Sequence, residues 1–161
     1  MFGLQQKTPP RTFKFWYALF FLVMVVVALG IWFATLYWPK ALVRIKGQDL
    51  RVLVAHTPKH WFQGLSNRKD LGKYQGMLFV FPTSEQHAMV MRDMKFPLDI
   101  LWIEQGVIVD MAPNLQPDPS TTEAGLKVYT ARLASDTVLE LPAGFIRDHG
   151  LAVGDSVIVA R

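Results

Sequence analysis

The 161-residue chain contains no cysteine, so it holds no disulfide framework, no thiolate metal site and no cysteine nucleophile. Charge is scarce: 19% of the residues are Asp, Glu, Lys or Arg, against 51% hydrophobic. That balance excludes a disordered or acidic-tail protein and exceeds the apolar share of an ordinary soluble domain. Acid is missing altogether at the start. Three of the 17 basic residues (Lys7, Arg11, Lys14) precede residue 15 and none of the 13 acids does, which leaves 14 basic against 13 acidic residues in the remainder. The net charge of +4 is therefore mostly N-terminal, and no nucleic-acid partner is expected. Two further chemistries lack their signatures. No Gly-x-Ser-x-Gly elbow is present, and neither phosphate-cradling pattern, G-x-x-x-x-G-K-[ST] or G-x-G-x-x-G, occurs. No cofactor is expected.

What the chain does have is an oily run. Residues 15–38, FWYALFFLVMVVVALGIWFATLYW, carry no charge. As a helix they would extend roughly 36 Å, enough to cross a hydrocarbon core of about 30 Å with some tilt. Trp16 and Tyr17 at one end and Tyr37 and Trp38 at the other suit the two headgroup boundaries. A cleaved signal peptide is the rival reading, with Lys7, Arg11 and Lys14 as its basic region and Ala28 and Gly30 near a cleavage point. The apolar run continues past that point to Trp38, longer than a signal sequence requires, which favours an uncleaved anchor. Basic residues flank both ends, since Lys40, Arg44, Lys46 and Arg51 follow the run. The charge rule governs short segments, so residues 1–14 are expected in the cytoplasm and residues 39–161 outside, in a periplasm or the extracellular space.

The part after Pro39 reads as mainly β, an α+β domain built as a small barrel-like or rolled antiparallel sheet with two short helices. ALVRIKG and DLRVLVA alternate around Gly47-Gln48 as a hairpin. Thr57 and Pro58 open a short helix reaching about Arg68. GMLFVFP (76–82) is a strand buried on both sides. LDILWIE (98–104) and VIVDMAP (107–113) flank Gln105-Gly106 as a tight hairpin. DTVLELP (136–142) is a strand, and Pro142 opens a second helix that Gly150 closes before the last strand, SVIVA. The loop 114–125, with two prolines and no periodicity, reads as filler by default and as a lid over a site otherwise.

Candidates for chemistry are few. His56 and His60 have the four-residue spacing of two ligands on one helix face, but no Glu completes H-E-x-x-H and no third ligand lies nearby. They are expected as solvent-facing histidines, and no metal is expected. The stretch 85–99, EQHAMVMRDMKFPLD, interleaves Glu85, His87, Arg92, Asp93 and Asp99 with apolar residues, a pattern that forms partly desolvated, ligand-gripping clusters. On a strand over 98–104, Asp99 begins an apolar row with Leu101 and Ile103 and needs a partner. Arg92 is the natural one, with a backbone N–H of the 92–97 turn as the alternative. A structural ion pair is the simplest outcome; a ligand pocket or a catalytic site would use the same residues.

Three blocks carry a family resemblance: GMLFVFP (76–82), M-R-D-M-x-F-P-L-D-I-L-W-I (91–103) and V-L-E-L-P-A-G-F-I-R-D-H-G-L-x-V-G-D-x-V (138–157), supported by A-x-T-P at Ala55 to Pro58 and G-L-x-x-R at Gly64 to Arg68. Over about residues 42–160 the chain resembles domain of unknown function family 192, widespread in bacteria and archaea. The resemblance implies a compact, mostly β domain, often exported or N-terminally anchored, with no established activity. By position its motif residues are Gly64, Leu65, Arg68, Gly76, Met91, Arg92, Asp93, Pro97, Asp99, Glu140 and Gly154. The chain departs from the usual pattern at Ser66 (methionine), Val90 (tryptophan), Asp93 (asparagine) and His60 (glutamate).

The preferred expectation is a membrane-anchored binding or accessory module that takes a small ligand or an envelope partner through Arg68, His87, Arg92, Asp93 and Asp99. The alternative is an envelope-associated hydrolase or lyase, with Asp99 or Asp93 as general base and Arg92 stabilising an anion.

Overall fold

The computed structural model describes residues 12–119 and 122–160. Lys7 and Arg11 of the expected basic tail lie outside the described residues, as do residues 120 and 121 of the loop 114–125. The chain divides into two compact units, Met1–Tyr37 and Trp38–Arg161.

The first unit contains one helix, α1 (Thr12–Leu36), of 25 residues. Its stretch Lys14–Phe33 is long and apolar enough to cross a membrane. The large apolar side chains from Phe15 to Phe33 are exposed, leaving the oily surface uncovered by protein. The helix ends two residues short of Trp38, because Pro39 biases the residue before it away from helical backbone. Trp38 instead packs within the second unit, its ring 4.1 Å from that of His60 and 5.5 Å from the Arg68 guanidinium.

The second unit is mainly β. Its strands are β1 (Lys40–Ile45), β2 (Gln48–Ala55), β3 (Gly76–Glu85), β4 (Ala88–Val90), β5 (Leu98–Glu104), β6 (Val107–Leu115), β7 (Val128–Thr130), β8 (Ser135–Pro142) and β9 (Val157–Ala160). Two short helices, α2 (Pro58–Gln63) and α3 (Phe145–His149), and a 3-10 turn (Glu123–Gly125) complete it. Seven strands form one sheet in the order β6-β5-β8-β3-β2-β1-β9. The sheet curls until its two edges touch at a bridge between Val107 and Ser156, a half-barrel whose edges shield one another. Both tight hairpins turn through two residues of positive φ, Lys46-Gly47 and Gln105-Gly106, the backbone that matches strand twist. The first turn is thus centred one residue earlier than its sequence suggests.

Among the described residues, pairing is antiparallel with one exception. β2 and β3 run parallel, Val52 opposite Gly76 through Ala55 opposite Phe79, so an all-antiparallel sheet is not what forms. A parallel neighbour needs a crossover, and residues 56–75, with α2, supply it. Thr57 caps α2, its hydroxyl accepting from His60 N–H, and Gly64 ends it well before Arg68.

The sheet separates two apolar layers. Val43, Ile45, Leu50, Val52, Leu78, Leu101, Ile103, Ile108, Leu139, Leu141 and Val157, drawn from all seven strands, fill the inner face with Ile146 and Leu151. On the outer face Leu53, Ala55, Met77, Phe79, Leu98, Ile100, Trp102 and Val138 are covered by Leu65 of the crossover and by Met89, Met91 and Met94. That second layer includes a separate two-stranded sheet, β4 with β7, which the sequence pattern does not announce. It is also where the cover is incomplete.

Candidate functional site

Between the crossover and the β4 segment lies a cavity of about 220 Å³. One wall is the end of α2 and the turn after it, Trp61 to Ser66; the other is Ala88, Met89, Val90, Arg92 and Met94; Phe79 of β3 and Glu140 of β8 come from the sheet beneath. The walls are fastened to each other and to the sheet. Ser66 Oγ donates to the Arg92 carbonyl at 2.9 Å, and Asn67 N–H donates to the Asp93 carbonyl at 3.0 Å. Trp61 Nε1 donates to the Ala55 and Val80 carbonyls, which fixes α2 against β2 and β3.

Arg92 is the cavity's charged wall. Its guanidinium lies 4.0 Å over the Phe62 ring, donates to the Phe62 carbonyl at 2.7 Å, and forms a two-pronged pair with Glu123. The pair holds the Glu123 carboxyl below its usual range. Glu123 belongs to the loop 114–125, so that loop is docked through this pair rather than serving only as filler.

Glu140 is the group the cavity is built over. It is 4% exposed, yet its Oε2 has no hydrogen-bond partner. Burial alone pushes its carboxyl up to about 8, because a low-dielectric site disfavours the charged form. Its position is imposed by the backbone: a Cβ on Gly76 would sit 2.4 Å from the Glu140 carbonyl oxygen, so only glycine lets β3 come this close. Buried polar groups are ordinarily paired, and the other buried acids here are. Asp110 accepts from the Arg132 guanidinium and backbone N–H, which hold its carboxyl below the usual range.

The residues expected to form the site are not gathered in one place. Asp99, fully buried, accepts from Asn114 N–H and Ile146 N–H, each at 2.7 Å. Its partner is therefore neither Arg92 nor the 92–97 turn: β5 points it to the inner face, where it ties β6 to the start of α3. It lines a different cavity, with Pro113, Asn114, Gly144 and Arg147. Of the five, Arg92 alone lines the cavity over Glu140. Asp93 is exposed and holds a positive-φ turn at 52°. The His87 ring stacks on Phe81 at 3.6 Å, and Arg68 stands over Trp38. The histidine pair also differs from expectation. His56 is exposed, but His60 is buried against Trp38 with Nδ1 unpartnered, and desolvation, then the nearby His56 and Lys59 charges, lowers its pKa. Among the described residues no group of three or more metal-ligating side chains is placed to hold an ion.

Known proteins resemble the chain over about three quarters of its length. A crystal structure from Sinorhizobium meliloti 1021, described as a candidate transcription regulator, shares 31% identity, with a TM-score of 0.67 over 76% of this chain and 95% of the other. A protein of unknown function from Novosphingobium aromaticivorans DSM 12444 shares 25% identity, with a TM-score of 0.64 over 75% of this chain and 84% of the other. No curated protein matches. The sequence profile of DUF192, described as "Uncharacterized ACR", matches residues 41–159, all but the first and last residues of the curled sheet with its crossover and cavity, and the chain belongs to that uncharacterised family.

Proposed function

We propose that the protein is a membrane-tethered binding module that takes a small ligand into the cavity over Glu140. One observation carries the reading: a nearly fully buried carboxyl with an oxygen left unpartnered is among the residues lining a space large enough for a small ligand. Leaving a buried acceptor unpaired costs about 1–3 kcal/mol, and such costs concentrate where a partner arrives from outside. The apolar helix supports the tether, and the short basic segment before it favours a cytoplasmic N-terminus with the domain outside. Tethering confines the domain to the membrane surface and raises its effective concentration for partners there.

Turnover has less support. Both Asp99 oxygens already accept backbone hydrogen bonds, and Asp93 does not line the cavity, so neither is poised as a general base. The regulator description of one relative is not carried over either: outside the first fourteen residues basic and acidic groups nearly balance, whereas affinity for nucleic acid rests on neutralising phosphates.

The test has two arms. Carbonate-washed membranes should retain the full chain, and a phosphatase that matures only outside the cytoplasm should be active when fused to its C-terminus. In detergent micelles, methyl-labelled methionine spectra against a fragment library should yield ligands that move Met89 and Met94, which line the cavity, and leave Met111 on the far face unmoved. A soluble chain, an inactive fusion, or a library that never moves those two methyls overturns the corresponding half.

A further inference from the structure

Resting on that reading of the cavity, we propose that its ligand is a small organic ammonium with one ring-sized apolar body, the cation set against Glu140 and the body between Trp61, Phe62 and Phe79. Charge complementarity is the first ground. Among the described residues, Arg92 is the only basic side chain lining the cavity, and its charge is already matched by Glu123 and spread over the Phe62 face. With Glu140 ionised, these three groups sum to one uncompensated negative charge, which a ligand cation neutralises and a ligand carboxylate would double. The walls are the second ground. Three aromatic residues are among those lining a single small space, an apolar surround that favours a ring-sized body over a fully polar guest. Size is the third. A cavity of about 150 Å³ accommodates benzene, so 220 Å³ admits one ring with a short arm.

Protonation ties binding to pH. Glu140 keeps its proton at neutral pH when empty, because its carboxyl is pushed up to about 8, so docking an ammonium expels that proton. The charged groups around it are few. Arg92 with Glu123 stands on the wall; α2 carries Lys59 and His60, neither lining the cavity; β3 contributes apolar Met77 and Phe79; Asp99 of β5 is on the opposite face of the sheet. None of these takes up the released proton, which passes to solvent. Affinity should rise with pH up to about 8.

The probes are benzylamine, benzyl alcohol and benzoate, titrated into the full-length protein in micelles while the Met89 and Met94 methyls are followed. Benzylamine should bind at least about tenfold tighter than the alcohol, tighten at least about tenfold from pH 6 to pH 8, and weaken at least tenfold in Glu140→Gln, with the alcohol unaffected by that substitution. Calorimetry of the native protein in two buffers of different ionisation heat should record close to one proton released, a readout that does not require the variant to fold. If the alcohol or benzoate binds as well as the amine, or no proton is released, the ammonium assignment fails while the cavity stands as a ligand site. If none of the three moves either methyl, the ammonium assignment fails; the cavity reading is then decided by the fragment library.

Discussion

Asp99 and Glu140 are carboxylates on adjacent strands, one residue apart in register: Asp99 lies opposite Leu141 and Ile100 opposite Glu140. Both are buried, yet they face opposite sides of the sheet and meet opposite fates. Asp99 has a backbone N–H for each oxygen and serves as a fastener between β6 and α3. Glu140 has one oxygen with no partner and lines the cavity beside α2. The difference teaches that burial of an acid is not by itself a sign of function. What separates a structural carboxylate from a receptive one is whether the fold supplies its donors.

The contrast can be broken from the Glu140 side by moving the backbone it rests on. Gly76→Ala drives a methyl group into the Glu140 carbonyl, and chemical denaturation should record a loss of at least about 4 kcal/mol or no folded protein. Breaking the Asp99 side should cost somewhat less. Asp99→Ala leaves the Asn114 and Ile146 N–H groups without their charged acceptor, for a loss of roughly 3 kcal/mol, while the Met89 and Met94 methyls keep their positions. Asp99→Asn should restore part of it, since one oxygen remains to accept.

Titration sharpens the comparison with a smaller effect. The Glu140 carboxyl is raised from 4.5 to about 8 on folding, so the folded chain retains a proton that the unfolded chain gives up within that window. Stability should fall as pH rises from about 4.5 to about 8, by at most about 1.4 kcal/mol per pH unit, and level off above that window. Glu140→Gln should remove that slope, and Asp99→Asn should leave it in place.

Much of the frame is legible in the sequence because period and turn chemistry are local. The alternation in β1 and β2, the Gln105-Gly106 turn and the Gly150 stop for α3 each depend on residues a few positions apart. The parallel pairing of β2 with β3 is not legible that way, since the apolar run GMLFVFP is buried on both faces and records no direction. The site was half visible. Reasoning from an acid in an apolar row singled out Asp99, and the same reasoning applies to Glu140 in VLELP; the pattern shows that each needs a partner but not which one the fold withholds. Asp99's donors come from Asn114 and Ile146, distant in sequence and backbone in origin, so no side-chain pattern reveals them. Arg92 was visible as a charged residue in its block, whereas its partner Glu123 lay in a loop with no periodic signal.

The crossover between β2 and β3 has a consequence for how such a fold can diversify. The strands set the lattice, but most of what a visiting molecule would meet along one wall, from Trp61 to Ser66, hangs on a connection outside it. Apart from Trp61, which is bonded to the sheet, and Gly64, whose positive φ favours glycine, residues there can be exchanged or added without renegotiating the register of the sheet. On the proposed reading of the cavity, the same chassis can thereby be retuned from one small guest to another, with Glu140 left as the fixed point beneath.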